Sequence, residues 1–117
     1  MSDFVFLFRS TPEENRAAMG TPQQAQRSME AFMKWLSGLE TRGHLKDRGL
    51  PLEPTGKVVR GAKKLVTDGP YAEAKDIVLG FIIITARDLD EATELSKSCP
   101  IVEGGAVVEI RPVLATA

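Results

Sequence analysis

One cysteine, one histidine, one tryptophan and one tyrosine are all that these 117 residues hold of those four types. The lone Cys99 excludes an intramolecular disulfide, which fits a reducing cytoplasm. One cysteine and one histidine cannot make a zinc site within a single chain, so no metal is expected. The glycine-rich phosphate cradles G-x-G-x-x-G and G-x-x-x-x-G-K-[ST] are missing, as is the nucleophile elbow G-x-S-x-G. No cofactor is expected either. Charge of one sign is not in excess: 15 basic residues face 16 acidic ones, for a net charge of -1. Nucleic-acid binding draws on a basic surface that displaces counterions, and none is encoded, since the basic residues are interleaved with acidic and neutral ones. Long hydrophobic runs are also missing. The longest, Phe4 to Phe8, falls far short of the roughly 20 residues that span a bilayer. The start, Met1-Ser-Asp3, has no basic region and is not expected to direct secretion. Nucleic acid and membrane are thus not expected partners.

What is present is a well-patterned apolar fraction of 43%, enough for one core in a single domain. Phe4 to Phe8 reads as a strand apolar on both faces, hence central in a sheet. Thr11-Pro-Glu-Glu14 and Thr21-Pro-Gln-Gln24 are both helix starts, with a hydroxyl N-cap and proline at the first position. The reading is a short helical turn, then a long helix from Pro22 to Arg42. Its apolar residues Ala25, Met29, Phe32, Met33, Leu36 and Leu39 are spaced by three and four, which predicts one buried stripe. Gly43 follows as a left-handed C-cap. The stretch 44–61 reads as an irregular loop feeding a short strand at Lys57 to Arg60. A turn at Gly61 to Lys64 leads to a strand at Leu65 to Thr67, and Asp68-Gly-Pro is a turn signal. Ile77 to Thr85 is a second strongly apolar strand, in which Gly80 suggests a bulge or close backbone approach. Asp88 to Glu91 is a further capping box, opening a helix that Pro100 stops. Ala106 to Val113 alternates as a last strand, placed at a sheet edge by Pro112.

The order is that of a βαββαβ ferredoxin-like α+β fold: an antiparallel sheet with both helices on one face. Two strands apolar on both faces leave the other sheet face in need of cover. The economical cover is a second copy of the same sheet, giving a homodimer.

At Asp68-Gly-Pro-Tyr-Ala-Glu-Ala-Lys-Asp76 the sequence resembles the DGPF signature of the YCII-related family, with Tyr71 in place of the usual Phe and Asp76 in place of the usual Glu. FVFLFR, PLEPTGKVV, DLDEA, CPIVEGG and VEIRPV resemble one branch of that family, so the resemblance spans almost the whole chain. It implies a ferredoxin-like fold pairing into a dimeric α/β barrel, with a cleft between sheet and helices. Some members are thought to use a His–Asp pair. The only histidine here, His44, lies outside the matching motifs, so that pair does not carry over. Some relatives are joined to, or encoded beside, sigma factors. The wider dimeric-barrel group includes muconolactone isomerases.

The candidate chemistry centres on the motif. Asp68 is either a turn-fixing side chain bonded to nearby amides or a general base at a cleft mouth, for which burial would have to raise its pKa. Gly69 provides positive φ or close approach, and Pro70 rigidity. If the segment is extended, Tyr71, Glu73 and Lys75 share one face and can orient a polar molecule. A Glu73–Lys75 ion pair fixing the loop is the structural alternative. Arg9 and Arg111 end strands and can hold a carboxylate in a bidentate bond, or simply reach solvent. His44, just after a helix end, caps it or binds a ligand. Trp35 and Cys99 read as core residues. Two functions follow: a cofactor-free enzyme doing acid–base chemistry on a small anionic or cyclic metabolite, or a non-catalytic ligand-binding or protein-interaction module linked to transcriptional regulation.

Overall fold

The computed structural model describes residues 1–69 and 76–115, with Pro12 described by its backbone alone. The chain runs β1 (Ser2–Ser10), α1 (Pro12–Met19), α2 (Pro22–Thr41), β2 (Leu45–Pro51), β3 (Gly56–Arg60), β4 (Leu65–Gly69), β5 (Ile77–Ala86), α3 (Leu89–Ser96), α4 (Pro100–Glu103) and β6 (Val107–Pro112). β2, β5, β1 and β6 form one antiparallel sheet in that order, and β3 with β4 forms a separate two-stranded sheet. This mixed α+β arrangement is compatible with a ferredoxin-like fold. The two strongly apolar strands, β1 and β5, occupy the centre, and β6 with its Pro112 lies at an edge, as expected.

The pairing Phe4↔Ile84 and Phe6↔Ile82 puts those four side chains on one face. There they meet Trp35, Leu36 and Leu39 of α2, Ala92 of α3, and Cys99 in a single core cluster. Both major helices therefore pack on the same face. The opposite face carries Val5, Leu7, Phe81 and Ile83, all half-buried. The strands are apolar on both faces in sequence, but only one face is sealed.

Thr11, Thr21 and Asp88 cap their helices as the sequence predicts, but no reciprocal box closes at Asp88, because Glu91 Oε1 accepts from Arg87 N–H at 2.9 Å. Thr21 and Gln24 make a reciprocal capping box, Thr21 Oγ1 accepting from Gln24 N–H at 3.2 Å and Gln24 Oε1 from Thr21 N–H at 2.9 Å. α2 ends in a Schellman motif, with His44 N–H donating to Leu39 O at 2.8 Å and Gly43, φ +78°, in the left-handed position. Four other expectations need correction. The stretch 44–61 is not a plain loop but contains β2, an edge strand of the four-stranded sheet, so the β3–β4 hairpin lies outside that sheet. No turn begins at Asp68, because Asp68 and Gly69 still pair with Lys57 and Gly56. Pro100 does not stop α3, which ends at Ser96, but opens α4. The stripe of α2 is buried only in its second half, at Leu36 and Leu39 beside Trp35. Ala25 and Phe32 are half-buried, and Met29 and Met33 are exposed.

β2 is held against β5 by two irregularities. Asp47 pairs with Ile83 and Leu50 with Phe81, so three steps on β2 match two on β5. The extra residue is accommodated by Gly49 at φ +56°, with Asp47 Oδ1 accepting from Gly49 N–H at 2.7 Å. This is a bulge with glycine in the left-handed region, locked by an Asx turn. On the far side of β5, Phe8 pairs with Gly80 but Arg9 with Val78, which leaves Leu79 as a bulge. A Cβ on Gly80 would stand 3.0 Å from Leu50 O. Both anticipated roles of Gly80 are therefore realised: it adjoins a bulge and lets a backbone approach.

Candidate functional site

The uncovered half of the α2 stripe forms one wall of a cleft of about 720 Å³, between α1 and α2 on one side and the ends of β2 and β5 on the other. The geometry follows from where α2 is anchored. Phe32 and Trp35 dock on the sheet through ring contacts, Phe8–Phe32 at 5.3 Å edge-on and Phe6–Trp35 at 6.3 Å stacked. Trp35 Nε1–H donates to Ser98 Oγ at 3.0 Å, which satisfies the one polar atom that its burial would otherwise strand. The neighbouring methionines of the stripe make no such ring contact among the described residues. Met29 and Met33 stay 51% and 43% exposed and line the cleft with Met19, Leu50 and Leu52. The floor is Phe8, Gly80 and Ile82. The walls are overwhelmingly apolar, and thioethers let them adapt to different shapes.

Polar groups stand at the ends. Ser10, buried at the end of β1, has its hydroxyl 3.5 Å from Glu14 Oε2 of α1. Arg27 of α2 and Arg48 of β2 complete the polar rim. Arg48 Nη2 lies 3.2 Å from Glu40.

The motif residues lie elsewhere. Asp68 is on the β3–β4 hairpin with its side chain 89% exposed, paired with the Lys57 ammonium, which its register partner supplies. It accepts from that cation rather than from neighbouring amides. Gly69 is not at positive φ; its requirement is close approach, since a Cβ there would lie 3.1 Å from Val58 Cγ2 and 3.4 Å from the backbone of Gly56 and Lys57. Neither residue lines the cleft. Pro70, Tyr71, Glu73 and Lys75 lie outside the described residues.

Arg9 and Arg111 come together on the open sheet face, but around carboxylates of the chain itself. Arg9 Nε and Nη2 donate to Asp76 Oδ1 at 3.2 and 2.6 Å, and its Nη1 donates to Glu109. Glu109 also accepts from Arg111 at 3.3 Å. The Arg9 guanidinium, then Arg111, hold the Glu109 carboxyl below its ordinary value, and Asp76, then Glu109, raise Arg9. An unfolded Glu109 takes up its proton near its ordinary pKa of about 4.3, while the folded one resists until lower pH. The stabilisation is therefore complete above that value and is lost as pH falls through the folded pKa. Glu109→Gln is expected to flatten the acid limb of a plot of unfolding free energy against pH below about pH 4.3. Urea titrations at stepped pH check this.

His44 caps α2 through its backbone N–H, while its ring Nδ1 lies 2.9 Å from Thr85 O and ties the start of β2 to β5. Cys99 is fully buried, and burial pushes its thiol up to about 11. It is a packing residue, as read from the sequence. A cleft between sheet and helices is what the family resemblance implies, but the residues that line it are not those of the motif. The available signal was three of four methionines, Met19, Met29 and Met33, falling on or beside one stripe.

An antiparallel sheet with helices on one face, and an apolar cleft opening beneath a partly lifted helix, define a small α+β domain of the cleft-bearing kind. No helix among the described residues is long and apolar enough to cross a membrane. The chain belongs to the YCII-related domain family, whose model matches residues 4–116. No curated protein matches it.

Proposed function

We propose that this protein is a ligand-binding module that takes a predominantly apolar small molecule into the cleft under α2, and that it acts as a two-fold homodimer through its open sheet face. The observation that carries the first part is the stripe on α2. Helical periodicity builds it as a core surface, yet Met29 and Met33 are left facing a cleft of about 720 Å³, within the size range of small-molecule sites. Leaving thioethers in water forfeits the burial that a ligand would restore. The second part is supported by Val5, Leu7, Phe81 and Ile83, which form an apolar field on the face opposite the helices. An acid–base reading centred on Asp68 fits less well, because that carboxylate is exposed and engaged by Lys57.

The test of the cleft is calorimetric titration of 1-decanol into the wild type and a Met29→Gln/Met33→Gln variant. Both methionines are about half exposed and outside the core cluster, so the variant is expected to keep its fold. The wild type is expected to bind with a negative heat-capacity change, and the variant about tenfold or more weakly. Equal affinity in the two proteins, or no binding by the wild type, would remove this function.

A further inference from the structure

The rim of the cleft carries an unbalanced charge. Its ionisable groups are Glu14 on α1, Arg27 on α2 and Arg48 on β2. Glu14 lies within reach of the buried Ser10 hydroxyl. Arg48 shares its charge with Glu40 at 3.2 Å. Arg27 shares its charge with nothing: among the described residues it makes no hydrogen bond and no ion pair. A partner was available one turn along, because Glu30 stands three residues on in the same helix, where opposite charges normally meet. Glu30 instead accepts from Gln26 Nε2 at 3.3 Å. The guanidinium that borders the apolar walls thus keeps its donors free of every described residue.

We propose that the ligand is an amphipathic anion whose apolar body lies against the methionines and whose carboxylate is held at the rim by Arg27. This rests on the cleft-binding reading above and adds the chemistry of the head group. With Arg48 already engaged by Glu40, it is the uncompensated Arg27 guanidinium that favours an anion over a neutral or cationic head. The planar fork of arginine suits a carboxylate in particular, because it donates to both oxygens at once. The site is open to water, so the charge contributes a modest preference and the apolar body contributes most of the affinity.

Three probes with the same ten-carbon tail separate the head from the tail: decanoate, 1-decanol and decyltrimethylammonium, each titrated calorimetrically below its aggregation limit into the wild type and Arg27→Gln. Decanoate is expected to bind about fivefold more tightly than decanol, with the ammonium compound weakest. Arg27→Gln is expected to erase the decanoate advantage and leave decanol unchanged. The advantage is also expected to shrink at high ionic strength. If decanol and decanoate bind the wild type equally, or Arg27→Gln weakens both alike, the anionic head is overturned while the apolar cleft stands. If none of the three binds, the cleft reading falls and the head group with it.

Discussion

Gly49→Ala is expected to destabilise the protein by about 2–4 kcal/mol and to abolish decanol binding. The expectation comes from the bulge that attaches β2 to β5. Gly49 sits at φ +56°, and a Cβ built there would overlap Phe81 O, part of the backbone of the central strand. No rotamer change relieves a clash with backbone, so one strand must move. β2 is an edge strand and is the one free to yield. Its departure would carry away Leu50 and Leu52, which form the wall of the cleft opposite the methionines. Gly43→Ala is the internal control. Gly43 is also at positive φ, +78°, but a Cβ there meets nothing within 4 Å, so only conformational strain of about 1 kcal/mol applies. Urea midpoints for the two variants give the comparison. Equal losses would mean that strain, not collision with Phe81, governs the position.

Leu7→Lys is expected to convert a dimer into a monomer. Light scattering should give twice the chain mass of 12.7 kDa for the wild type and the single mass for the variant. Leu7 lies at the middle of the open face, opposite Phe81 on one side and Glu109 on the other. Within one chain an ammonium there stands beside a carboxylate, so the monomer tolerates it. At a two-fold seam the same change places two like charges in an apolar contact, which costs several kcal/mol. A wild type that runs as a monomer at micromolar concentration would end the dimer proposal, and circular dichroism of the variant guards against misfolding as the cause.

The elements that local chemistry specifies were legible in the sequence. The apolar runs Phe4 to Phe8 and Ile77 to Ile84 mark central strands, because side chains apolar on both faces of a strand suit a place within the sheet. Thr21, Gln24 and Gly43 mark helix ends through hydrogen bonds made within a few residues. β2 was not legible, because Leu45–Pro51 contains aspartate, glycine and proline, and lacks alternation. It is a strand only because β5 supplies a template and two bulges absorb the misfit. The cleft was half legible. Periodicity states which residues of α2 share a face, but not whether anything lies on that face. The stripe was correct as a grouping, and its burial was a tertiary property decided at Phe32 and Trp35. Asp68 drew attention through its motif, yet its surroundings were set by Lys57, eleven residues away across a hairpin.

The placement of sulfur in this molecule has its own consequence. Its only thiol is sealed in the core and stays protonated at neutral pH, so peroxide cannot readily engage it. The thioethers of Met19, Met29 and Met33 are all exposed on or beside the cleft wall. Oxidant would therefore reach these thioethers as it reaches the still more exposed Met1, turning a greasy lining into polar sulfoxides while the packed interior stayed intact. Damage and repair at this protein would be written on its occupancy before its fold.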